Sequence, residues 1–167
     1  PSADFAAYSA VMIDSVTIWQ NEKTEKISKE DQQALTDYLY AALHEELSKD
    51  YRIVGAPGPG VMRLRAAITE AKGAMVVMNT ITSAYPQARV LTSAAGMATD
   101  TALMVGAVGA EAEITDSMTG ERLLAAVDER VGTKTLRGGL KKWSHVKRAF
   151  EYWADRVRTR LAELRAG

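Results

Sequence analysis

Two stretches of the chain carry apolar residues at helical spacing. Leu35, Leu39, Leu43 and Leu47 recur every four residues, with Tyr38 and Ala42 beside them. That stripe predicts an amphipathic helix of about 20 residues. Ser28 ahead of it suits an N-cap, and Glu30 and Asp31 suit the positive end of the helix dipole. Near the C-terminus, Val146, Phe150, Trp153, Val157, Leu161 and Leu164 step by four, three, four, four and three. This is close to a 3.6-residue period over about five turns, with Ser144 as the expected cap.

Other stretches alternate with period two. In residues 61–70, Met62, Leu64, Ala66 and Ile68 share one face and Arg63, Arg65, Ala67 and Thr69 the other. Residues 105–116 alternate Val108, Ala110, Ala112 and Ile114 with Gly109, Glu111, Glu113 and Thr115. The Asp116-Ser117-Met118-Thr119-Gly120 turn then predicts a hairpin, with Gly120 free to take a positive φ. The return strand, 121–131, leaves its inward face open between Leu123, Ala125 and Val127 on one reading and Leu124 and Ala126 on the other. Residues 10–19 are β-branched and aromatic, as strands are. Ile13 and Val16 break their alternation, so a bulge near Asp14 or Ser15, or burial on both faces, is expected. A short strand is expected over 51–54. The glycines and prolines of 55–60 make a hairpin or connecting turn.

These elements predict an α+β fold in one domain, residues 1–167. A single mixed or mainly antiparallel sheet carries two long amphipathic helices packed on one face, in the order β-α-β-β-(insertion)-β-β-α. The insertion is residues 73–104. It holds four of the chain's seven methionines and only two charged residues, Arg89 and Asp100. Met-rich surfaces adapt to partners, so Met75, Met78, Tyr85, Met97 and Met104 are candidate partner contacts. Filling of core gaps is the competing reading.

Composition narrows the chemistry. The chain has no cysteine and only two histidines, His44 and His145. Disulfides, thiol nucleophiles and Cys- or multi-His metal sites are therefore excluded, and no cofactor is expected. The 21 basic and 21 acidic groups cancel overall, unlike a polyanion-binding domain. They do not cancel locally. Residues 1–50 hold 4 basic and 10 acidic groups, whereas residues 141–167 hold 8 and 3. An acidic first helix lying beside a basic last helix accounts for this polarity better than a nucleic-acid or membrane footprint. No apolar run reaches the 18 or so residues of a membrane span.

No motif in the chain specifies catalysis. Residues 55–60 lack the Gly-Lys-Ser/Thr of a phosphate loop, and two prolines remove N–H donors. No Gly-x-Ser-x-Gly elbow marks a serine nucleophile. Glu111 and Glu113, about 6.5–7 Å apart on one strand face, offer paired carboxylates, with Asp14 as a third. Arg63 and Arg65 have the same spacing on a neighbouring strand, so cross-strand Arg–Glu pairs are the preferred reading.

Several of these segments together resemble the bacterial family DUF3313. They are residues 8–19, Pro57-Gly58-Pro59-Gly60-Val61 with Arg63, and Asp116-Ser117-Met118-Thr119-Gly120-Glu121-Arg122-Leu123. Ala126-Val127-Asp128 and the helix from Trp143 to Trp153 complete the likeness, which spans nearly the whole chain. The resemblance implies a lipoprotein with a signal peptide and a lipidated cysteine ahead of the domain. It thus implies the cell envelope, on the periplasmic face of the outer membrane. The chain opens at Pro1 and not at methionine, so removal of a leader or a tag, or trimming of the chain, is expected. The resemblance carries no catalytic residues. The leading expectation is a non-enzymatic module that binds an envelope protein or copies of itself and meets the membrane only through a lipid anchor. A small-molecule or lipid carrier is the first alternative, an enzyme using Glu111 and Glu113 the second, and a nucleic-acid binder the weakest.

Overall fold

The computed structural model describes residues 4–72, 107–131 and 143–167. A 3₁₀ turn, Phe5–Ala7, leads into β1 (Ala10–Ile13) and β2 (Thr17–Ile18). Helix α1 (Lys29–Leu47), β3 (Arg52–Ile53), β4 (Val61–Lys72), β5 (Ala107–Asp116), β6 (Arg122–Val131) and α2 (Ser144–Ala166) follow. The expected insertion at 73–104, with Met75, Met78, Tyr85, Met97 and Met104, lies outside the described residues, as do residues 132–142.

The described strands form one mixed sheet in the order β3-β1-β4-β5-β6, with β2 also pairing β4. β1 runs parallel to β3 and β4, and β2 parallel to β4. β4–β5 and β5–β6 are antiparallel. The fold class and element order agree with expectation. Residues 10–19 do not form one strand. The chain breaks at Asp14-Ser15-Val16 and resumes farther along β4 as β2. Residues 55–60 are a connection between parallel strands, not a hairpin. Gly60, at φ 68°, turns its carbonyl to accept from the N–H groups of Ser9 and Ala10.

One sheet face carries Leu64, Ile114 and Leu124 in register, then Ala66, Ala112 and Ala126, then Ile68, Ala110 and Asp128. Both helices cover this face. Phe150, Leu161 and Val146 of α2 and Leu35, Leu39 and Leu47 of α1 are buried with Val11, Met62, Leu64 and Ile68. The helices run parallel. Tyr38 Oη donates to Glu151 Oε1 at 2.6 Å, and Arg158 Nε donates to Asp50 Oδ2 at 2.7 Å. Arg158 also lies 3.8 Å from Glu46, so the acidic first helix and the basic last helix do neutralise each other. Ser28 caps α1 by accepting from Asp31 N–H at 3.1 Å. At α2 the cap differs from expectation. Trp143 holds the N-cap position and its side chain makes no capping hydrogen bond, and Ser144 is the first helical residue.

One bulge explains the ambiguous inward face of β6, and a second lies in β4. The β5–β6 register shifts between Thr115↔Arg122 and Ile114↔Leu124, leaving Leu123 as an extra residue. Leu123 and Leu124 can therefore both pack against the core. Thr69 is the corresponding extra residue in β4. Opposite it, a Cβ on Gly109 would meet Thr69 Oγ1 at 2.7 Å, so any larger residue there would have to displace the Thr69 side chain.

Candidate functional site

Three arrangements could carry function. The first is a charge ladder on the sheet face away from the helices. Asp14, just past β1, receives Arg63 Nε at 3.0 Å and Arg63 Nη2 at 2.8 Å, and Arg65 Nε lies 3.6 Å from it. Arg65 reaches Glu113 at 4.0 Å, and Arg122 Nε donates to Glu113 Oε1 at 2.8 Å. Arg65 thus stands opposite Glu113 as expected of neighbouring strands, but Arg63 takes Asp14 and not a glutamate. Glu111 stands opposite Ala67 and Val127 and makes no ion pair with a described residue. Asp14 and Glu113 are each neutralised by guanidinium groups, as in a structural brace across the strands, whereas Glu111 is not part of it. Among the described residues, no group of three or more His, Asp or Glu side chains is placed to hold a metal ion.

The second is a knot at the hairpin. Asp116 Oδ1 accepts from Met118 N–H at 2.9 Å, Thr119 N–H at 2.7 Å and Thr119 Oγ1 at 3.1 Å. Its other oxygen accepts from Tyr8 Oη at 2.9 Å. These bonds, led by Thr119 N–H, hold the Asp116 carboxyl below its usual range. Burial, and then the bond to Asp116, push the Tyr8 phenol up to about 12. Ser117 Oγ accepts from Gly58 N–H and donates to Gly58 carbonyl, each at 3.1 Å. Gly120 takes φ 73°, as the turn signal predicted. The expected turn residues Asp116 and Gly120 therefore close a joint that ties three distant segments: residue 8, the loop at 55–60 and the β5–β6 turn. Its groups are saturated by one another, which marks it as a structural clasp.

The third is a groove of about 490 Å³ between α2 and the β4–β5–β6 face. Its floor is the in-register row Ala66, Ala112 and Ala126 with Ala110 beside it; Leu39, Leu43, Trp153 and Val157 wall it. Trp153 Nε1 donates to Asp128 Oδ2 at 2.6 Å across one end. Arg130 stacks over the Tyr152 ring at 3.5 Å beside it. The groove lies where four alanines floor the sheet beneath α2. The sequence reading missed it. The signal was present, since alanine dominates these strands, but only strand register shows that the alanines share one patch.

A family model described as "Protein of unknown function (DUF3313)" matches residues 1–157. The chain belongs to the DUF3313 family. Three of the segments that carried the resemblance, residues 8–19, 57–61 and 116–123, are joined by the clasp. No curated protein matches this chain in sequence. Among solved structures, the DUF3313 chain is similar in fold to CT253, a hypothetical protein from Chlamydia trachomatis. Identity is 12%, coverage 93% of this chain and 98% of that one, and the TM-score 0.53. It is also similar to the PelC L103M dodecamer from Paraburkholderia phytofirmans, at 14% identity, 95% and 91% coverage and a TM-score of 0.50. A minor lipoprotein from Acinetobacter baumannii matches at 8% identity, 95% coverage of each chain and a TM-score of 0.48. At these identities the likeness is one of fold.

Proposed function

We propose that this DUF3313 chain is a non-catalytic module of the cell envelope that assembles with copies of itself through the open edge of its sheet. The observation that carries this reading is β6. It is ten residues long and pairs only with β5 among the described residues. Its centre, Ala125-Ala126-Val127, is exposed, with Val127 at 78%. Its charges lie toward the ends, at Arg122 and at Asp128, Glu129 and Arg130. A long edge strand with an uncharged centre is a template for another strand. The fold likeness to a protein solved as a dodecamer supports self-assembly. The envelope, and within it the periplasmic face of the outer membrane, follows from what family resemblance implies. The non-catalytic reading is supported by Asp14 and Glu113 each being held by arginines.

Light scattering of the purified chain tests the assembly. We expect concentration-dependent association that Val127→Lys and Ala125→Pro abolish while the helical circular dichroism is kept. A wild-type chain that stays monomeric at every concentration overturns it. Fractionation of cells expressing the complete gene product tests the compartment, and recovery in the cytosol overturns that part.

A further inference from the structure

We propose that the groove between α2 and the alanine floor binds a long-chain alkyl carboxylate, with its chain on the alanines and its headgroup at Arg156 and Arg160. The volume, about 490 Å³, lies within the range of small-molecule sites. The shape suits a chain. Ala66, Ala112 and Ala126 cross three strands as a continuous apolar trough, and no polar side chain stands between them. Trp153 and Val157 close it from above, which gives an alkyl chain contact on two sides.

Charge decides the headgroup. Arg156 and Arg160 line the groove one helical turn apart. Arg156 makes no ion pair with a described residue, and Arg160 is paired only with Glu163, at 2.9 Å and exposed. Two carboxylates also line the groove. Asp128 is engaged by Trp153 Nε1 at 2.6 Å and lies 3.5 Å from Arg130. Glu111 shares the register of Ala67 and Val127, on the face opposite the alanine trough. Arg156, with Arg160 shared with the exposed Glu163 one turn on, therefore favours a carboxylate, which a guanidinium binds through paired hydrogen bonds.

The test uses the full chain and the probe 11-(dansylamino)undecanoate, read by its emission and by quenching of tryptophan. We expect saturable binding that oleate reverses. Ala112→Leu, which fills the trough, is expected to weaken the probe at least about tenfold, and Ala126→Leu on the more open strand to do the same. Arg156→Glu with Arg160→Glu is expected to weaken oleate by about tenfold or more and to leave methyl oleate unchanged. Absence of saturable binding by the wild type overturns the proposal. So does a folded Ala126→Leu variant that binds as the wild type does. If oleate and its methyl ester respond equally to the arginine changes, the headgroup assignment fails. A trough-filling variant that alters the oligomeric state but not probe binding assigns the groove to a second copy instead.

Discussion

Replacing Tyr8 by phenylalanine removes one hydroxyl and nothing else from the clasp. That hydroxyl donates to Asp116 Oδ2 at 2.9 Å, while Asp116 Oδ1 keeps its three donors in the hairpin. A hydrogen bond to a charged group contributes about 1.5–3 kcal/mol. Both partners are partly exposed, so the lower part of that range applies, about 1.5–2 kcal/mol. For a domain of this size the loss corresponds to a fall in Tm of about 3–8 °C. The pH dependence is a second readout. The Tyr8 phenol is raised from 10.0 to about 12 by burial and by Asp116. A group raised in the folded state stabilises fully below its unfolded pKa and loses that contribution as pH rises through the folded one. The wild type should therefore lose stability between about pH 10 and 12, and the phenylalanine variant should lose less, so the gap between them narrows. Urea melts of wild type, Tyr8→Phe, Asp116→Asn and the double variant would measure the coupling, expected at about 1 kcal/mol. Strict additivity, or a Tyr8→Phe variant with an unchanged melt and an unchanged alkaline profile, would refute the clasp.

Acid should act on the same joint in the opposite sense. Asp116 is held below its usual 3.8, so its contribution is present above that pH and is lost as pH falls through the lowered value. Asp116→Asn should flatten this part of the acid limb in a pH series of urea midpoints. Phe150 is fully buried between the helices and the sheet, and Phe150→Ala should cost about 3–5 kcal/mol in chemical denaturation. Gly60→Ala places a Cβ 3.1 Å from the Ala7 carbonyl oxygen at φ 68°. The strain of a left-handed alanine should lower stability by about 1–2 kcal/mol, whereas Gly55→Ala, in open space, should not.

Local signals placed most of the elements. Ser28 and the leucine stripe mark α1, the Val146–Leu164 stripe marks α2, and Asp116 with Gly120 marks the hairpin, because capping, amphipathic period and turn chemistry each act within a few residues. Where the reading slipped, the cause was non-local. The bulge at Leu123 made two inward faces equally plausible, since it merges both. Arg63 was assigned a glutamate because the break after β1, which brings Asp14 beside β4, leaves no trace in the spacing of β4. The groove was missed because alanines at 66, 112 and 126 are unremarkable until the strands lie in register.

The amphipathic periods, the turns and the opposed charges of the two ends were therefore set by the chain itself, each being a property of residues close in sequence. It also sufficed to name the family. Three things belong to the tertiary structure alone. These are the parallel placement of β1 between β3 and β4, the joining of residues 8, 58 and 116 into one clasp, and the alanine trough beneath α2. Each depends on which distant segments become neighbours, and that choice is made by burying both helical stripes on one sheet face at once.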